Sequence, residues 1–154
     1  MTQWGNEHEK DALHAYEVET GEIVNNTLDD QEFVISKLID WLGCTPDGII
    51  GLRLLEFKCP YSQKIPDDVP PHYMAQCQFN MMITETSCCH LAYWTPDNFR
   101  VFEFGRDDIY LDMALPLVKE FWGYVNNDEE PKRKKKPTLP IIETDDRDWE
   151  TQIP

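Results

Sequence analysis

Basic residues are scarce in this sequence: 14 Lys and Arg stand against 29 Asp and Glu, a formal net charge of −15. That deficit counts against tight, nonspecific binding to a polyanion by an isolated subunit, because nucleic-acid-binding surfaces usually carry positive charge. Long apolar runs are missing too. No stretch approaches the roughly 20 residues of a membrane span, and no basic, apolar leader opens the chain. The expectation is a soluble, cytoplasmic protein with no membrane partner. Cysteine pairs at ligand spacing are also absent: Cys44, Cys59, Cys77, Cys88 and Cys89 form no Cys-x-x-Cys, and the adjacent Cys88 and Cys89 cannot readily bridge each other. An iron–sulfur cluster needs four spaced thiolate ligands, so none is expected. Five reduced, mostly buried thiols are the reading that remains.

What is present is a chain of 154 residues, one domain's worth and enough for a real core. Its most informative residues are Asp47, Glu56 and Lys58, set in Thr45-Pro46-Asp47-Gly48 and Leu55-Glu56-Phe57-Lys58-Cys59-Pro60. Glu56 and Lys58 are two apart and share one side of a strand. The Pro46-Asp47-Gly48 turn can bring a second carboxylate back to that side. Two converging carboxylates make an oxygen-rich site suited to Mg²⁺ or Mn²⁺. A lysine beside them can orient a water and stabilise charge developing on a phosphate. The plain alternative is a solvated hairpin with a cross-face ion pair. Against it, Leu54, Leu55 and Phe57 make this a core strand, where Glu and Lys need a reason.

Around these residues the pattern alternates helices and strands. From Trp4 to about Glu19 a helix is expected, with Glu9, Ala12, Leu13 and Tyr16 on one face. By spacing alone Glu9 is either a helix glutamate favoured by the dipole or a carboxylate at the head of an apolar stripe. Thr20-Gly21 ends that helix, and the stretch to Gln31 reads as loop or short hairpin. Glu32–Ile35 and Trp41–Cys44 read as short strands, and 49–58 as a hairpin around Gly51, closed by Cys59-Pro60. Residues 61–71 form a polar, proline-bearing loop at the rim of a cleft. A second helix from about His72 to Thr84 puts Tyr73, Gln76 and Asn80 on one face and Met74, Cys77 and Met81 on an apolar stripe. Strands at 88–94 and 99–104 follow. A last helix, capped by Asp107-Asp108, reaches about Val125 with Ile109, Met113, Leu117 and Phe121 on one face; Pro116 should kink it. Residues 128–154 read as a flexible, charged tail containing the basic run 132–136 and an acidic stretch around Trp149.

Four motifs occur in order: Trp4-Gly5-x-x-x-Glu9-x-Asp11-Ala12, Thr45-Pro46-Asp47-Gly48, Leu55-Glu56-Phe57-Lys58-Cys59-Pro60 and Tyr73-Met74-Ala75-Gln76-x-Gln78. Together they resemble the lambda-exonuclease or YqaJ-type viral recombinase nucleases, a branch of the PD-(D/E)xK superfamily. The family's Ser-Pro-Asp-Gly is Thr-Pro-Asp-Gly here, which keeps a hydroxyl beside the turn. The resemblance implies an α/β, restriction-endonuclease-like core, a central mixed β-sheet flanked by helices, over residues 1–127. It implies a Mg²⁺-dependent deoxyribonuclease, with Mn²⁺ able to substitute: an exonuclease hydrolysing DNA in phage or viral recombination, located in the host cytoplasm if the source is viral. Asp47, Glu56 and the Phe57 backbone carbonyl would hold metal, with Glu9 completing the acidic cluster directly or through water. Lys58 would orient the attacking water, and Gln76 would help to position it.

Family members carry a segment before the Trp-Gly helix that grips DNA, whereas here Trp4 stands near Met1. The catalytic half is expected to be present and the gripping half missing. Acidity and this difference point to self-association, a ring being one form, or to a recombination partner such as a single-strand annealing protein. Lys132–Lys136 reads as a tether to the DNA backbone, a solvated tail or an address signal. Two other functions stay open: a structure-specific endonuclease, and a non-catalytic acidic module that keeps the nuclease fold and binds protein.

Overall fold

The computed structural model describes residues 2–24, 32–132, 134–135 and 137–147. The chain forms two compact units, Met1–Arg106 with Glu143–Pro154, and Asp107–Ile142.

The first unit is built on strand β4 (Arg53–Lys58), whose Leu54, Leu55, Glu56 and Phe57 are all buried. A strand apolar on both sides must be covered on both faces, and two helices do this. Helix α1 (Thr2–Thr20) places Ala12 and Tyr16 against Leu55 and Phe57. Helix α2 (Pro71–Thr84) lies over the opposite side chains of β4, Glu56 included, and buries Met74, Cys77, Met81 and Ile83. Each large apolar side chain buried here contributes about 1.5–3 kcal/mol.

Among the described residues, five strands form the sheet in the order β3-β4-β5-β6-β7, with β3 at Gly48–Ile50, β5 at Cys88–Trp94, β6 at Phe99–Gly105 and β7 at Asp145–Arg147. Among these five strands β4 and β5 run parallel and the other neighbours antiparallel, so the β4–β5 connection must cross over, and α2 is the crossover. The mixed sheet flanked by helices is the architecture expected from the sequence. A separate pair, β1 (Val34–Ile35) and β2 (Gly43–Cys44), is antiparallel.

Two glycines have definite work in the β3–β4 hairpin. Gly51 sits at φ +59°, the left-handed conformation its turn requires. At Gly48 an added Cβ would stand 3.0 Å from Val24 Cγ1 and 3.3 Å from Leu55 Cδ1, so a side chain there would press on the core behind the Asp47 turn and make these neighbours give way.

Buried polar groups on the α1 face are matched to partners. The Tyr16 hydroxyl lies 2.8 Å from His90 Nδ1, and His90 Nε2 lies 2.6 Å from Glu103 Oε2. This run of hydrogen-bonded side chains fastens α1 to β5 and β6, and thereby fixes the helix that carries Glu9.

Strand β7 departs from the sequence reading. Asp145–Arg147 falls in the segment expected to be a flexible tail, yet it pairs antiparallel with β6, Glu103 opposite Asp145 and Val101 opposite Arg147. The loop expected up to Gln31 is described to Val24; residues 25–31, Arg133, Lys136 and Trp149 lie outside the described residues.

The second unit carries helix α3 (Asp108–Asn126). Asp107 caps it, its Oδ1 accepting from the Tyr110 N–H at 2.8 Å, and Asp108 adds negative charge to the first turn, where the dipole favours it. The helix continues through Pro116. Tyr110, Leu111 and Ala114 are buried, whereas Ile109, Met113, Leu117, Phe121 and Val125 form an exposed stripe. In this unit Lys134, from the basic run, pairs with Glu120.

Candidate active site

The site forms where the Asp47 turn meets the end of β4. The last β3–β4 pair is Gly48 with Leu55, so beyond it, among the described residues, the edge of β4 has no strand neighbour on that side. The Asp47 carboxylate takes the strand's place, its Oδ2 accepting from the Phe57 N–H at 2.7 Å. A strand residue's N–H and C=O point to the same edge, which leaves the Phe57 carbonyl beside Asp47.

Glu56 is 1% exposed and is held from three directions. Its Oε1 accepts from Asn80 Nδ2 at 2.7 Å, and its Oε2 from Gln76 Nε2 at 3.2 Å and Lys58 Nζ at 3.4 Å. Burial, and then the nearby Asp47 charge, push its pKa up to about 7. Burial also raises Asp47, against the lowering effects of the Phe57 N–H and Lys58. Two carboxylates thus share a buried space with too little positive charge to satisfy both.

Lys58 is the cation between them. Burial disfavours its ammonium, but the Glu56 and Asp47 charges outweigh that and raise its pKa above the usual value. Its Nζ also lies 5.0 Å from the centre of the Tyr73 ring, within reach of a cation–π attraction. Glu9 joins the same neighbourhood from α1: burial raises its pKa, Asp47 adds to the rise and Lys58 opposes it. Glu9, Phe57 and Lys58 line one cavity of about 550 Å³.

The structure therefore brings together all the residues singled out in the sequence: Glu9, Asp47, Glu56, Phe57, Lys58 and Gln76. It adds Asn80, whose hydrogen bond to Glu56 is shorter than that of Gln76. The signal for it was present, since Gln76 and Asn80 are four apart on one helix face. On the same helix as Glu9, His8 meets Asp11 at 2.7 Å and stacks on Trp94 with ring centres 5.2 Å apart.

Hard oxygen donors with surplus negative charge fit Mg²⁺ or Mn²⁺. Among the described residues no three His, Cys, Asp or Glu side chains converge closely enough to cage an ion alone. The available set is two carboxylates and a backbone carbonyl, which suits Mg²⁺ because it keeps several waters.

A family model described as the YqaJ-like viral recombinase domain matches residues 1–87, more than half of the chain and the part that holds all of these residues. The chain belongs to the YqaJ-like viral recombinase domain family. Solved structures agree. The alkaline exonuclease LHK-Exo from Laribacter hongkongensis is similar with a TM-score of 0.68 and 27% identity, over 82% of this chain and 69% of that one. LHK-Exo in complex with dAMP gives 0.69 and 26%, over 82% of this chain and 68% of that one. No curated protein matches significantly. Among the described residues of this family member, no helix is long and apolar enough to cross a membrane.

Proposed function

We propose that this protein is a metal-dependent deoxyribonuclease, an exonuclease that hydrolyses DNA phosphodiester bonds in viral or phage recombination. The observation that carries this reading is Glu56: a carboxylate buried on a core strand, beside a second carboxylate and a lysine, is costly unless it serves chemistry. Membership of the recombinase family and likeness to an alkaline exonuclease support the same reaction.

Asp47, Glu56 and the Phe57 carbonyl would hold Mg²⁺, with Glu9 completing the acidic cluster directly or through water. When bound, the ion supplies Lewis-acid polarisation of the phosphate and a water acidic enough to ionise near neutral pH. Asn80 and Gln76 donate to Glu56 and, with Lys58, keep its oxygens oriented. Lys58, poised between the carboxylates, orients the attacking water and neutralises charge that builds on the phosphate as the P–O bond breaks. The Asp47–Phe57 hydrogen bond fixes the turn against the strand, so both carboxylates arrive preorganised.

Self-association belongs to this reading. A subunit of net charge −15 holds a polyanion poorly, and α3 exposes five large apolar side chains at four-residue spacing, Ile109 to Val125. Such a stripe fits burial against a second copy. The test is a time course with Mg²⁺ on end-labelled linear DNA and on closed circular DNA, with Asp47→Ala as control. Loss of linear DNA alone supports the exonuclease; nicking of circles would make the enzyme an endonuclease; no cleavage of either would favour a non-catalytic binding module.

A further inference from the structure

The cavity beside Glu9 and Lys58 contains a group that the hydrolytic machinery does not use. Tyr93 on β5 lines it, is only 2% exposed, and its hydroxyl is, among the described residues, the buried side-chain polar atom with no hydrogen-bond partner. Buried polar groups in folded proteins nearly always have partners, so an orphan needs an explanation. Another buried tyrosine, Tyr16, does have its partner.

The position of Tyr93 says what the partner is. In the parallel ladder it stands opposite Lys58, so the two side chains leave the sheet on the same face. Its ring meets Tyr73 edge-on with centres 6.4 Å apart, and the Lys58 ammonium lies over Tyr73. Lys64, from the loop after β4, lines the same space. A cavity of about 550 Å³ lies within the range of small-molecule sites, roughly 300–1,000 Å³, the size class of one nucleotide unit. Burial, then Tyr73 and Cys77, raise the phenol's pKa, so it is protonated and can donate.

We propose that Tyr93 is a substrate-binding residue whose hydroxyl donates a hydrogen bond to a phosphate oxygen of the nucleotide unit in this cavity. The inference rests on the deoxyribonuclease reading. The Tyr93 hydroxyl is buried, Lys58 and Lys64 line the same cavity and attract an anion to it, and the phosphate supplies the acceptor that Tyr93 lacks.

The test compares wild type with Tyr93→Phe by calorimetric titration of thymidine 5′-monophosphate in Mg²⁺, thermal melting without ligand, and steady-state hydrolysis of linear duplex DNA. The variant should bind the nucleotide about tenfold more weakly, the value of one hydrogen bond to a charged acceptor. Its KM should rise with little change in kcat. Its melting temperature should hold or rise, because the orphan hydroxyl is gone. Equal nucleotide affinity in the two proteins overturns the inference. So does a lowered melting temperature with unchanged affinity, which would assign the hydroxyl a buried water. If wild type cleaves DNA and Tyr93→Phe is indistinguishable from it, the inference falls while the nuclease reading stands. A wild type that neither cleaves DNA nor binds the nucleotide removes both.

Discussion

Asn80 Nδ2 stands 2.7 Å from Glu56 Oε1, the shortest hydrogen bond that this buried carboxylate makes. Replacing Asn80 by Ala leaves a buried acceptor without its donor, which costs about 1–3 kcal/mol. Asn80→Ala is expected to lose that much in urea unfolding and to lower turnover. Unchanged stability would mean that Gln76 and Lys58 suffice to hold Glu56.

Asp47→Ala and Glu56→Gln should each abolish hydrolysis while the protein stays folded. For Glu56→Gln, stability without metal should hold or rise, because the repulsion between Glu56 and Asp47 disappears. Circular dichroism and a nuclease assay on one preparation decide this. Cleavage at the wild-type rate by either variant would remove these residues from the site.

The raised pKa of Glu56 makes stability depend on pH in a definite direction. Its folded-state value, about 7, lies above the ordinary 4.5. Protons therefore favour the folded form: the contribution is fully present below about pH 4.5 and is lost as pH rises through 7. In EDTA the melting temperature should fall between pH 5 and 8, by the equivalent of about 2–3 kcal/mol. Glu56→Gln should flatten that slope, and Mg²⁺ should recover the loss at pH 8. A wild-type profile that rises over this range would contradict the assignment.

Lys58→Ala should lose most of its turnover yet still bind Mn²⁺ in a calorimetric titration, since it removes the cation that competes with metal for Glu56 and Asp47. Failure to bind Mn²⁺ would recast the lysine as a structural support.

Replacing residues 132–136 by serine should weaken DNA binding and flatten its dependence on salt, the slope shrinking by roughly 0.9 for every phosphate that is no longer neutralised. The exposed Lys134–Glu120 pair adds little to stability, so folding should be unaffected. Identical affinity at every salt concentration would show that the basic run is not a tether.

Much of the site was legible because it is local. Asp47, Glu56 and Lys58 lie on one hairpin, and period-two alternation alone puts Glu56 and Lys58 on the same side. Gln76 and Glu9 needed the family resemblance, since the spacing of a polar residue on a helix does not say what it faces. Tyr93 was not legible: only the parallel register places it opposite Lys58, and register is not encoded within either strand. In α3 the pattern correctly grouped Ile109, Met113, Leu117 and Phe121, yet these are exposed while Tyr110, Leu111 and Ala114 are buried. Periodicity tells which residues share a face, not which face is covered. Strand β7, Asp145–Arg147, has low intrinsic strand preference and forms because β6 offers it a ladder.

That late ladder has a consequence for biogenesis. Strand β6 ends at Gly105; β5 covers one of its edges, but the partner on the other edge begins only at Asp145. While the intervening residues are being made, β6 presents a row of unpaired N–H and C=O groups, which can template pairing with another nascent chain. A truncation that removes Asp145–Arg147 would leave a molecule with that edge still open. Such fragments should aggregate far more readily than the chain that carries β7.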